Sequence, residues 1–170
     1  MRSAAEPRRL FWAVTAALLG SDMLTKWVAE RELLPIPPVS VVGDWVQLRL
    51  VYNQGAAFGL HLGPWSRWIF LLTALVAIVL LYRLARSSSP RDIVRQVSCG
   101  LVAGGAAGNL VDRIRSAQGV VDFIDVGVGL TRWPTFNVAD MGVSCGAIVL
   151  AISLWREDAR RSRAAATPAA

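Results

Sequence analysis

Four runs of this sequence are each long and apolar enough to cross a lipid bilayer, which takes about 20 helical residues. They cover about residues 10–29, 65–85, 96–113 and 136–155. A chain of 170 residues that commits four such runs to helices has room for one domain and little else. Its composition agrees: 54% hydrophobic, 18% charged and mean hydropathy +0.45, where soluble domains carry roughly 25% charge. The expected fold is an all-α polytopic membrane protein: four transmembrane helices with a small extracytoplasmic β-rich platform.

The net charge is +6, and Lys26 is the only lysine among 18 basic residues. Arginines gather at the ends of the apolar runs, which the positive-inside rule explains better than nucleic-acid binding. Four crossings put both termini on one side with the Arg83–Arg95 loop. That side holds 11 bases and 4 acids, a balance of +7; the other holds 7 bases and 8 acids, a balance of −1. Both termini are therefore expected in the cytoplasm, and loops 33–64 and 114–133 outside. Arg8-Arg9 before the first run resembles a signal peptide, but a cleavable one ends in small residues. Here the exit is Asp22-Met23-Leu24-Thr25-Lys26-Trp27, so a retained helix is expected. The tail from about 160 to 170 reads as disordered.

Outside the first helix, Pro35, Pro37 and Pro38 stop the helical run. Val46, Leu48, Leu50 and Tyr52 then alternate with Gln47, Arg49 and Val51, a strand with one apolar face. Val120 to Ile124 is a second strand-like run. Gly100, Gly104 and Gly108 recur every four residues on the third helix, a spacing that allows close helix approach in lipid. Cys99 and Cys145 read as small buried hydrophobes. With His61 the only histidine, zinc centres and histidine triads are disfavoured.

The topology collects carboxylates at one depth. Asp22 lies near the outer end of the first helix and Asp112 at the outer end of the third. Asp140 follows the outer start of the fourth, and Asp122 sits in the loop between. Ionisable residues in membrane segments are functional candidates by default. Asp22 has a structural reading, an ion pair with Lys26 one turn on. Asp112 ends a helix beside Arg113, which allows a positioning role. Asp125 reads as solvated on its loop. Asp122, among Val120, Val121, Phe123 and Ile124, and Asp140, the sole charge of its run, have the weakest structural explanation. Asn109 and Asn137 each stand three residues before an aspartate and share its helix face. Two close carboxylates cannot both ionise easily, so one can act as acid and the other as base in peptide hydrolysis. A small proton-coupled transporter or channel subunit is the alternative, with a structural scaffold third. The inner halves of the helices lack acids, which counts against a relay.

These residues resemble the bacterial lipoprotein signal peptidases, the type II signal peptidase family. The matching pieces are Asp22…Lys26, Tyr52-Asn53-Gln54-Gly55-Ala56-Ala57-Phe58-Gly59, Gly104-Gly105-Ala106-Ala107-Gly108-Asn109-Leu110-Val111-Asp112-Arg113, Val120-Val121-Asp122-Phe123-Ile124 and Phe136-Asn137-Val138-Ala139-Asp140. The resemblance implies a four-helix aspartyl peptidase of the bacterial cytoplasmic membrane. It would cut signal peptides from prolipoproteins just before a diacylglyceryl-modified cysteine. It implies a catalytic pair at Asp122 and Asp140. Asn53, Asn109, Arg113 and Asn137 would bind substrate or shape the site, and Asp22, Lys26 and Asp112 would support it. No metal or organic cofactor is implied. The implied partners are diacylated prolipoproteins and membrane lipid, with no nucleic acid, and the chain is expected to act as a monomer. Met141, where a small polar residue is expected, departs from the family pattern.

Overall fold

The computed structural model describes residues 8–55 and 63–166. The Ala56-Ala57-Phe58-Gly59 part of the loop motif and His61 lie outside the described residues, as do the basic and acidic residues before Arg8. Among the described residues the chain forms four long helices and one small sheet: α1 (Arg9–Glu32), β1 (Val39–Val42), β2 (Val46–Asn53), α2 (Ser66–Ser87), α3 (Ile93–Arg115), β3 (Val120–Val128), β4 (Thr131–Arg132) and α4 (Val138–Ala166).

Local chemistry sets the helix limits. Leu33 closes α1 with an N–H donated to the Ala29 carbonyl at 2.9 Å, just before the prolines. Asp92 caps α3 by accepting from the Arg95 N–H at 3.0 Å. α4 runs on to Ala166, through most of the stretch expected to be disordered. An ion pair at 2.5 Å between Glu157 and Arg161, one turn apart, supports that extension, as do alanines of high helix propensity. Residues 167–170 lie outside the described residues.

Helix α3 is the centre of the bundle and packs on α1, α2 and α4. Its glycines make this possible. A Cβ at Gly100 would stand 2.9 Å from the Phe11 carbonyl oxygen, and one at Gly104 would stand 2.9 Å from that of Thr15. Both face α1, whereas Gly105 faces Ala139 and Val143 of α4. The backbones meet where side chains would keep them apart.

The bundle is polar inside and apolar outside. Asp22, Lys26, Gln96, Ser98 and Asn137 are buried, while Leu24, Trp27, Leu72, Val79, Ile148 and Ile152 are exposed. A large apolar exterior of this kind belongs against another apolar phase rather than water. On length and composition alone, two segments among the described residues qualify as membrane spans, Gly63–Ser87 and Val138–Arg163. Four were expected. α1 carries Asp22, Lys26, Glu30, Arg31 and Glu32, and α3 carries Arg95, Asp112, Arg113 and Arg115 beside its glycines, so neither is as apolar as the other two. Cys99 is buried, but Cys145 is exposed on α4 rather than buried as its apolar setting suggested.

The sheet is antiparallel in the order β1-β2-β3-β4. The alternating run 46–52 falls in β2 and the run 120–124 in β3. Both faces of β2 are partly covered, so its apolar alternation does not separate a buried face from an open one. Phe123 packs with Ala29 and Leu33, which seats the sheet on the end of α1. A backbone bridge between Ile124 and Phe136 ties β3 to the residue before the α4 cap.

Candidate active site

Two short pieces of chain, one from β3 and one from the start of α4, meet under that bridge. Asn137 caps α4: its Oδ1 accepts from the Asp140 N–H at 2.8 Å, and Asp140 Oδ2 accepts from the Asn137 N–H at 3.3 Å. This reciprocal arrangement is a capping box, and it holds Asp140 in one rotamer. The same Asn137 donates through Nδ2 to Asp122 Oδ1 at 2.7 Å. One residue thus joins the two carboxylates that had the weakest structural explanation, through its side-chain NH₂ to Asp122 and its backbone N–H to Asp140.

Two more amides complete the setting. Asn53, at the end of β2, donates to Asp122 Oδ2 at 3.0 Å. Asn109, on α3, donates to Asp140 Oδ1 at 2.8 Å. Asp122 is therefore oriented by side-chain amides from β2 and the α4 cap, and Asp140 by one from α3 together with the backbone N–H of Asn137. Asp122 is buried. Burial first, and the neighbouring Asp140 charge second, push its carboxyl up to about 7. Lys26 and the two amides act in the opposite direction and are outweighed.

Beneath this pair lies a buried cationic knot. Lys26 Nζ reaches Asp22 Oδ2 at 2.7 Å, Asp112 Oδ2 at 2.8 Å and Asn109 Oδ1 at 3.0 Å. The two carboxylate contacts are ion pairs, and the third is a hydrogen bond to the amide carbonyl. Asp22 in turn accepts from the Ala139 N–H at 2.8 Å, one of the orphan donors of the first turn of α4. Gly108 leaves the room for this, since a Cβ there would overlap Asp22 Oδ2. Asp112 also accepts from the Val121 N–H at 3.3 Å, which fixes the residue before Asp122.

Sequence adjacency misleads at two positions. Asp112 pairs with Lys26 of α1, not with Arg113 beside it. Arg113 donates instead to the Gly55 carbonyl at 2.9 Å and to the Asn109 carbonyl at 3.2 Å. It thereby anchors the chain just after Asn53, whose Oδ1 also accepts from the Gly55 N–H at 3.0 Å. Asp125 is not solvated as its loop position suggested. It is buried, with Arg132 Nε at 2.9 Å and Arg49 Nε at 3.6 Å. Asp125 sits one side-chain alternation out of step with Asp122 on β3, so its ion pairs serve the sheet and not the carboxylate pair.

Reading the sequence alone missed Arg67. Its Nε donates to the Arg113 carbonyl at 2.7 Å and its Nη2 to the Ile114 carbonyl at 3.1 Å, so it caps the C-terminal end of α3. At the start of an apolar run it carried only the signal of a flanking charge.

The whole arrangement is two amide-oriented carboxylates, Asp122 buried and Asp140 partly exposed, with Asp122 poised to hold a proton near neutral pH. Such a pair can supply an acid and a base across one bond.

A profile of the family described as signal peptidase (SPase) II matches residues 14–156. A lipoprotein signal peptidase of Rhodococcus jostii is 42% identical over 150 residues, covering 85% of this chain and 72% of its own. One of Mycolicibacterium smegmatis is 43% identical over 166 residues, covering 92% and 67%. One of Hydrogenovibrio crunogenus is 39% identical over 149 residues, covering 86% of each. Among solved structures, a bacterial membrane enzyme determined by the in meso method superposes with a TM-score of 0.78 at 25% identity, covering 87% of this chain and 88% of that one. The fold, the long match and the identities agree: this chain belongs to the signal peptidase II family.

Proposed function

We propose that this chain is an intramembrane aspartyl endopeptidase that removes signal peptides from diacylglyceryl-modified prolipoproteins, cutting before the lipidated cysteine. Asp122 and Asp140 form its catalytic pair. The observation that carries this reading is Asn137, whose side-chain NH₂ donates to the Asp122 carboxylate and whose backbone N–H donates to that of Asp140, which aligns the two.

Their surroundings suggest a division of labour. Asp122, pushed up to about 7 by burial and its neighbour, holds the shared proton. Asp140 stands in the first turn of α4, where the helix N-terminus favours a negative charge. Asp140 takes a proton from a water, whose oxygen attacks the scissile carbonyl carbon. Asp122 gives its proton to the carbonyl oxygen. The resulting gem-diol collapses as the C–N bond breaks. The proton held by Asp140 moves to the leaving nitrogen, and a diol proton returns to Asp122. No covalent enzyme intermediate is needed.

All four helices cross the bacterial cytoplasmic membrane in this reading. α1 and α3 bury Asp22, Lys26 and Asp112 against each other and leave Leu24, Trp27 and Val94 facing outward, as a span in lipid requires. Both termini lie in the cytoplasm by the arginine balance, and the sheet lies on the opposite face. The chain acts as a monomer. The substrate's acyl chains stay in the bilayer, each buried methylene contributing about 0.8 kcal/mol to binding. A transporter or channel would spread acids through the depth of the bundle. Here Asp22, Asp112, Asp122 and Asp140 gather at the end carrying the sheet.

The test is release of the signal peptide from a diacylated prolipoprotein by the purified protein, read as a gel shift. Asp122→Asn and Asp140→Asn should each abolish release while eluting as folded protein in detergent. Near-normal release by either variant, or equal cutting of the unlipidated precursor, would overturn the corresponding part of the reading.

A further inference from the structure

Lys26 is a lysine with 2% side-chain exposure that touches neither Asp122 nor Asp140 by hydrogen bond. Its position has a consequence for both. The Asn109 amide can face Asp140 with either its NH₂ or its carbonyl, and only the NH₂ can hold a carboxylate acceptor. Lys26 Nζ, 3.0 Å from Asn109 Oδ1, decides between the two. A carbonyl turned toward Asp140 would put the amide NH₂ against an ammonium, two donors with no acceptor between them.

Asn137 Nδ2 also approaches Asn109 Oδ1, at 3.2 Å, but it has competing acceptors. That NH₂ carries two protons and faces three oxygens: Asp122 Oδ1 at 2.7 Å, Val121 O at 3.2 Å and Asn109 Oδ1 at 3.2 Å. Its shortest bond goes to Asp122. The ammonium, held in place by its ion pairs with Asp22 and Asp112, makes its hydrogen bond to Asn109 Oδ1.

We propose that Lys26 is a positioning residue for hydrolysis: its ammonium, held by Asp22 and Asp112, locks the Asn109 amide so that Nδ2 points at Asp140. This rests on the assignment of Asp140 as base. The knot is then more than a bolt between α1 and α3, since it sets the direction of the hydrogen bond that orients a reacting carboxylate.

The test is a double-mutant cycle in turnover of the diacylated prolipoprotein, using Lys26→Met and Asn109→Ala. Lys26→Met should lower kcat about 10- to 100-fold, the range for losing a group that orients a reacting one. KM should stay within about 3-fold, because the buried Lys26 side chain is out of a substrate's reach. In the Asn109→Ala background the same substitution should cost little further, since the amide it acts through is gone. Lys26→Met leaves two buried carboxylates without their cation, so Lys26→Met with Asp112→Asn is made in parallel. That pair leaves the net charge of the knot at −1, as it is with Asp22, Lys26 and Asp112, and keeps an acceptor for the Val121 N–H.

Multiplicative losses in the cycle, in whichever version folds, would overturn the proposal, as would a defect carried by KM. Asp140→Asn is measured alongside. If it retains turnover, the catalytic pair itself is wrong. If it is inactive while the cycle is multiplicative, only the role of Lys26 falls.

Discussion

The Ala139 backbone N–H donates to Asp22 Oδ1 at 2.8 Å, joining the middle of α1 to the first turn of α4 across 117 residues. A buried carboxylate on one helix thus completes the cap of another, one residue before Asp140. Stability and site geometry share this contact, and several measurements can separate the two.

Asp22→Ala removes both the cap on Ala139 and one partner of the buried Lys26 ammonium. Breaking a buried pair from one side costs about 3–5 kcal/mol, and losing a cap adds to it. A clear drop in melting temperature in detergent is expected, with turnover lost in the fraction that stays folded. Unchanged melting would mean that the knot contributes nothing to the fold.

The Asp122 carboxyl, raised from 3.8 to about 7, makes a signed prediction for stability. Between those values the folded chain holds a proton that the unfolded chain has released. Stability from this group is therefore highest at low pH and falls as pH rises through that window, levelling above about 7. Melting temperatures recorded from pH 4 to 9 should show the decline, and Asp122→Asn should remove it. Turnover per enzyme should likewise fall as pH rises past about 7, because the acid form of Asp122 is lost. A rate still rising above that pH would reverse the roles of the two aspartates.

Gly104→Leu probes helix packing at a distance from the carboxylates. Even a Cβ at Gly104 would lie 2.9 Å from the Thr15 carbonyl oxygen and 3.1 Å from Leu18 Cβ. Leucine must push α1 off α3, which moves Asp22 and Lys26 relative to Asn109. Misplacement of about 1 Å can cost ~100-fold in rate. Lower thermal stability and lower turnover should appear together, by differential scanning and the gel assay.

The orientation of the chain is open to labelling. Ser116→Cys, in a background with Cys99 and Cys145 replaced, should react with an impermeant thiol reagent added outside the cytoplasmic membrane. A second cysteine, at Ser89 in the Arg83–Arg95 loop, should react only after the membrane is opened. The reverse pattern would turn the arrangement over.

Much of the site was legible because its residues sit on regular elements. Asn137 and Asp140 are three residues apart at a helix start, a spacing at which side chain and backbone reach each other. Asp122 stood out because its neighbours are apolar and offer it no cation. The cation of Asp112 was hidden for the opposite reason. Arg113 is its neighbour in sequence, but consecutive helical residues project about 100° apart, so the nearer cation belongs to another helix. Asp125 was misread because a short strand says nothing about what covers it, and Arg132 arrives from the next hairpin.

Periodicity and turn residues by themselves determined the helical segments and the strands 46–52 and 120–124, and the resemblance of the motifs pointed to the family. Those depend on short-range rules that every few residues restate. Beyond the Asp22–Lys26 pair on one helix, only the tertiary structure decided which partner each buried charge has. Lys26 also takes Asp112 from another helix. Asp140 and Asp122 receive their orienting amides from α3, β2 and the α4 cap. A buried charge must find its partner among whatever groups the packing brings within about 3 Å, and in this bundle the α3 glycines let α1 and α4 come close enough to supply them.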